Sequence, residues 1–174
     1  LATYGPVSGT RPVTIDPARG PVRFRARARD LAGNQSAWVD SPRFVVTPWN
    51  GTATGLQLAG AWRTAAAADA LGGSTWRSRT AGAALTISVP ATRAVALVAV
   101  TGPDRGRVRL IVDGVPGPVV DLFSRTREVR RIVWALRSSD AVAHTVTVEV
   151  LGTRSKASHG TQVELDAFLV TQAP

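Results

Sequence analysis

Gly102-Pro-Asp-Arg-Gly-Arg-Val-Arg-Leu-Ile-Val-Asp-Gly114 packs a turn, a strand and a second turn into one short segment. Gly102, Pro103 and Asp104 bend the chain, each for its own backbone reason. From Arg107 to Val112 the side chains are suited to a strand, and the two-residue period puts Arg105, Arg107 and Arg109 on one face. Asp113-Gly114 then tolerates the positive φ that a reversal demands. The same grammar recurs on both sides. Further strand-like runs occupy 55–62, 83–89, 94–100, 119–123, 128–136, 144–151 and 162–170, with turns at Gly72-Gly73 and Gly152-Thr153. Eight short runs at this spacing predict an all-β sandwich or jelly roll. The Ala-rich piece 64–71 is expected to form one helical turn, and no other segment sustains a helical period.

Upstream, Val22-Arg-Phe-Arg-Ala-Arg-Ala-Arg-Asp30 alternates strictly, with Arg23, Arg25, Arg27 and Arg29 on one face and Phe24, Ala26 and Ala28 on the other. This predicts a half-buried strand. A turn at Gly33-Asn34 and runs at 37–39 and 43–47 complete a meander, which Pro48 is expected to end. Residues 49–55 are polar and Gly-rich and read as a linker. The expected organisation is therefore 1–48, a linker 49–55, and 56–174.

A length of 174 residues accommodates two modest domains, and the apolar 44% is mainly Val, Ala and Leu. The absence of cysteine excludes disulfides, thiolate metal sites and cysteine nucleophiles. The chain has no Met and opens at Leu1 inside what reads as an existing element, so a processed or truncated piece is expected, with any signal peptide upstream. The longest apolar stretch, 94–100, is far short of the roughly 20 residues that span a bilayer as a helix, so no membrane span is expected. The net charge of +9 is carried by Arg, with Lys156 the sole lysine. Such a bias fits a GC-rich genome as well as an anionic ligand, and charge alone identifies no partner.

Hydrolysis requires paired carboxylates across a cleft or a nucleophile with an oriented base. Of the two histidines, His144 opens a strand and His159 lies in a Ser-rich loop, without a His-x-x-x-His or Gly-x-Ser-x-Gly pattern near either. The chain reads as non-catalytic.

Two resemblances emerge from these motifs. Phe24-Arg-Ala-Arg-Ala-Arg-Asp-Leu-Ala-Gly-Asn-Gln-Ser-Ala-Trp38 resembles the closing half of bacterial fibronectin type III or immunoglobulin-like repeats, over residues 1–48. Val22 stands where such domains usually carry a corner tyrosine. The resemblance implies a partial sandwich completed by upstream chain or by a neighbour. The second covers 56–171 and is carried by Gly72-Gly-Ser, Thr80-Ala-Gly82, the 102–114 segment, Val120-Asp-Leu-Phe-Ser124, His144-Thr-Val-Thr-Val and Val163-Glu-Leu-Asp-Ala-Phe168. It is similar to the galactose-binding-like jelly roll found as a carbohydrate-binding-module-type domain in actinobacterial extracellular proteins. That implies a non-catalytic module attaching a larger secreted protein, with its neighbouring domains, to a glycan or cell-surface polysaccharide. A structural or adhesive spacer, or an accessory domain of a secreted hydrolase, are the alternatives.

Within that frame Trp76, between Arg77 and Arg79 in an expected loop, is a candidate stacking platform; packing over the sandwich end is the alternative. Trp62 and Trp134 lie in apolar runs and read as core. Asp104 and Arg105 belong to one polar loop, and Arg154, Ser155, Lys156 and His159 to another that the fold could bring to the same end. Arg105 and Gln162 occupy positions where similar modules carry a tyrosine. Glu164 and Asp166 are two apart on one strand and share a face, as a hard cation would need. Similar modules place a structural calcium near such a residue; the alternative is that Asp166 accepts hydrogen bonds at the core edge. No other cofactor is implied. The arginine stripes suit a solvated face, an acidic glycan or, least of all, nucleic acid, since no recognition helix or RNA-stacking sheet is evident. If a sugar binds, an acidic one is expected to be favoured.

Overall fold

A computed structural model describes residues 20–50 and 55–172, which contain strands and no helix. The chain divides into two compact units, between Val46 and Thr47. The first unit, over the described residues 20–46, pairs β1 (Arg25–Ala26) with β2 (Val39–Asp40) in antiparallel register, flanked by bridges Val22–Phe44 and Arg29–Gln35. The long half-buried strand expected over 22–30 is thus a two-residue strand with isolated bridges. Phe24 is 47% exposed, because no second layer covers the apolar face among the described residues. Residues 1–19 of the expected first domain lie outside the described residues.

The chain then runs through β3 (Val45–Trp49), so Pro48 does not end the strand. Among the described strands β3 pairs only with β11, and a proline's missing N–H is tolerated where one strand side is free. Trp49, expected in the linker, packs instead against the core of the second unit. Of the linker, residues 51–54 are not among those described.

The second unit, Thr47–Gln172, adds β4 (Leu56–Ala59), β5 (Arg63–Ala66), β6 (Ser74–Ser78), β7 (Ala84–Thr101), β8 (Arg107–Val112), β9 (Val115–Asp121), β10 (Glu128–Val150) and β11 (Val163–Gln172). The strand order is β5-β6-β11-β7-β10-β8-β9, with β4 also on β7 and β3 on β11. Two long strands build the sandwich. The first half of β7 pairs with β4 and with residues 144–149 of β10, whereas its second half pairs with β11 and the beginning of β10. Leu85, Ile87, Val89, Val95, Leu97 and Ala99 all enter one core, so β7 keeps its inward phase while bending from one layer to the other. Pro90 sits at this bend, which is why the sequence reads as two runs. The paired runs 128–136 and 144–151 likewise merge into β10, whose register shifts near Arg137, Val142 and His144 absorb the bend.

The hairpin at Asp113-Gly114 forms as the sequence predicts, with φ of 51° and 79°. The expected helical turn at 64–71 is corrected: its first part is β5, and residues 67–73 form a turn closed by Ala67 N–H to Gly73 O. The ladder with β6 outweighs alanine's helix propensity, which is high per residue but cannot repay helix nucleation in so short a segment. The 74–78 piece, expected as a loop, is strand β6 between β5 and β11.

Candidate ligand-binding cleft

A row of charge crosses three strands on the face of the β11 layer away from the core. Glu164 on β11 is the register partner of Arg77 on β6, and Arg77 is the partner of Arg63 on β5. Alternation dictates this: Val163, Leu165 and Trp76 point into the core, so their neighbours point out. Yet Glu164 is only 1% exposed. Its Oε1 accepts from Arg77 Nη2 at 2.7 Å and from Thr75 Oγ1 at 3.1 Å, and its Oε2 accepts from Arg105 Nη2 at 2.5 Å. Arg105 is itself buried and reaches Asp104 Oδ1 through Nη1 at 2.5 Å. A desolvated carboxylate is held here by two guanidiniums, which keeps both cations in fixed positions.

Beside this row opens a cleft of about 640 Å³, within the range of small-ligand sites. Trp62, Arg63, Arg77, Ser78, Arg79 and Gln162 are among its walls. Trp62 is half-buried, and its Nε1–H points to the carbonyls of Ala59 and Ala84 at 3.2 and 3.1 Å, which fixes the ring. Arg79 Nη2 donates to Gln162 Oε1 at 2.8 Å. No acidic residue is among the lining residues, so three guanidiniums face the space with Glu164 behind one of them.

Of the sequence candidates, Arg77 and Arg79 meet in the cleft. Trp76 does not: it is 3% exposed and part of the core, so the exposed-platform reading is corrected. Its polar neighbours made the segment look like a loop, whereas they alternate with it on a strand. Trp62, read as core, packs against the core and also lines the cleft. Arg105 is a buried ion-pair partner, and Asp104 is its half-exposed second carboxylate. The loop holding Arg154, Ser155, Lys156 and His159 is stitched to the 102–106 loop by His159 N–H to Pro103 O, Gln162 N–H to Asp104 O and Gly106 N–H to Gln162 O. A Cβ at Gly106 would meet Thr161 O at 2.6 Å, so this approach needs glycine. Arg154 donates to Ser158 O, while Lys156 and the His159 side chain are exposed. Ser155 is half-buried. Arg63 and Trp62 were missed because their positions depend on β5, which the sequence disguised.

Asp166 shares the outer face with Glu164 but follows it into a bulge between Leu165 and Ala167. Its Oδ1 accepts from Leu71 N–H at 2.8 Å, and burial raises its pKa. Nearby, the bond from Arg127 holds the Asp69 carboxyl below its ordinary range. Among the described residues no group of three or more acidic or histidine side chains could hold a metal ion.

A third polar array joins the β8–β9 turn to the bend of β10. Ser138 Oγ lies 3.2 Å from His144 Nε2, and His144 Nδ1 lies 2.8 Å from Asp113 Oδ2. Hydrolases place nucleophile, base and acid in this order. Here none of the three lines the cleft, and Asp113 also accepts from Thr145 N–H, the main cause of its lowered pKa, followed by His144. The array fastens the irregular part of β10.

No protein-family model matches the chain, and no curated protein matches its sequence. Solved structures share its fold. A Paenibacillus xanthan lyase is similar with a TM-score of 0.54 at 16% identity, over 71% of this chain and 13% of that one. A family two carbohydrate esterase from Cellvibrio japonicus gives 0.51 at 18% identity, over 74% and 34%. A family 35 carbohydrate binding module from Clostridium thermocellum gives 0.49 at 13% identity, over 72% and 98%. The chain thus spans well under two thirds of the lyase and the esterase. At such identities the likeness to the lyase and the esterase is one of fold alone.

Proposed function

We propose that the chain is a non-catalytic glycan-binding module of a larger secreted protein, and that the cleft beside Trp62 receives an acidic sugar. The carrying observation is the cleft itself: a fixed, half-buried indole and three guanidiniums around about 640 Å³ with no acidic residue in the wall. An aromatic face suits the apolar side of a pyranose, and guanidiniums match a carboxylate with two parallel bonds. Arg63 lies directly opposite Arg77 and, unlike Arg77 with its Glu164 partner, makes no ion pair with a described residue, so it offers an unengaged guanidinium to an anion in the cleft. The proteins that share the fold are by name a xanthan lyase and a carbohydrate esterase, which agrees with a carbohydrate-directed role. We extend this reading to the first unit as the closing part of a fibronectin III or Ig-like repeat, and to an actinobacterial, extracellular origin. The same reading assigns the module no resident cofactor, because both oxygens of Glu164 are already engaged by guanidiniums, and the structural calcium that similar modules carry is tested below.

The test is isothermal titration of uronate-containing and neutral oligosaccharides at low and moderate salt, with the parent, Arg63→Ala and Arg79→Ala. Uronates are expected to bind preferentially, with affinity falling about tenfold or more per lost guanidinium and falling again as salt rises. Equal binding of neutral sugars, indifferent to salt and to both substitutions, overturns the acidic-sugar reading. A glycan array that retains no sugar at all leaves the chain as a spacer.

A further inference from the structure

The first unit carries an arginine ladder that the cleft does not use. Over the described residues 20–46 there are five arginines, Arg23, Arg25, Arg27, Arg29 and Arg43, and two acids, Asp30 and Asp40. Arg23 and Arg25 both pair with Asp40, at 3.1 and 2.8 Å. The guanidiniums of Arg25 and Arg27 lie 5.0 and 4.7 Å from the centroid of Trp38. Asp30 is engaged by Asn34. Arg27, Arg29 and Arg43 make no ion pair with a described residue.

A solvated face has no need of ordered cations. Here an indole and a carboxylate hold the guanidiniums of Arg23, Arg25 and Arg27, three alternate residues of one segment, so little of their side-chain entropy remains to be lost on binding. We propose that this ladder is a second binding site, for a linear acidic polysaccharide. The choice over single-stranded nucleic acid rests on Trp38. Nucleic acids bind by stacking bases on open aromatic faces, and this ring already carries two guanidiniums. What the ladder offers outward is repeated positive charge with donor groups, which suits carboxylates or sulfates strung along a chain.

The experiment uses the full chain carrying Arg63→Ala and Arg79→Ala, so that the cleft does not contribute, with heparin and polygalacturonate as probes and poly-dT as competitor. The ladder is expected to retain salt-dependent binding of the two polysaccharides. Adding Arg27→Ala and Arg29→Ala is expected to weaken heparin about tenfold or more and to reduce the slope of log affinity against log salt by about two, one per lost contact. Arg27→Lys, which keeps the charge and loses the fork, is expected to weaken binding less than Arg27→Ala. Unchanged heparin affinity and slope in the quadruple variant overturn the proposal. Tighter binding of poly-dT than of either polysaccharide overturns it in favour of nucleic acid. Because the cleft is disabled throughout, either result leaves the cleft reading untouched.

Discussion

Glu164 concentrates the electrostatics of the second unit on one carboxylate. It is buried between Arg105 and Arg77, and only Arg77 reaches the cleft. Replacing it by Ala leaves the Arg105 guanidinium desolvated with Asp104 alone. Glu164→Ala is therefore expected to lower the stability of the second unit by about 3–5 kcal/mol, read by urea unfolding. A loss under about 1 kcal/mol would mean that Arg105 finds solvent without it. Asp166 behaves oppositely. Its pKa is raised chiefly by burial, so the folded state binds its proton more tightly than the unfolded chain does. The stability from this group is fully present below the ordinary carboxyl value and is lost as pH rises through the raised one. Asp166→Asn keeps an acceptor for Leu71 N–H and removes the buried charge. At pH 7 this variant is expected to be at least as stable as the parent, with the gap closing as pH falls toward 4. A variant less stable at pH 7 would contradict burial as the dominant cause.

At the scale of elements, what the sequence discloses is decided by how local each determinant is. Strand β8 (Arg107–Val112) and its Asp113-Gly114 hairpin were readable to the residue, because alternation and turn chemistry reside within a few neighbours. Strands β5 and β6 were not. Alanines at 65 and 66 carry little β preference, and Ser74 to Ser78 is mostly polar, so only the ladders with β11 and with each other make them strands. The platform option at Trp76, which gives way to the packing alternative, and the omission of Arg63 follow from this single miss. Likewise, period two placed Glu164 and Asp166 on one face correctly. What covers that face arrives from residues 59 and 87 positions away, a distance over which no sequence pattern speaks. Pro90 shows the converse: a residue that locally signals a stop is carried through an 18-residue strand at a bend.

For the whole molecule, the balance of charge bears on whether a cation belongs to the fold. The chain carries 21 basic and 12 acidic residues, and on the outer face of the β11 layer the carboxylates are met by arginines or by backbone N–H groups. Both oxygens of Glu164 are engaged by guanidiniums, so a calcium ion there would displace a pair it could not neutralise better. If calcium nevertheless bound at a hundred times its Kd, it would stabilise the fold by about 2.7 kcal/mol. For a domain of this size that corresponds to roughly ten degrees in Tm, well within the reach of calorimetry. The expected outcome is therefore plain: the Tm in excess EDTA matches that in millimolar calcium to within about a degree. A shift near ten degrees would place a calcium site in the fold and require Arg77 or Arg105 to release Glu164. That release would also change the charge of the cleft, so the same sample, titrated with a uronate in EDTA and in calcium, would report the metal a second way.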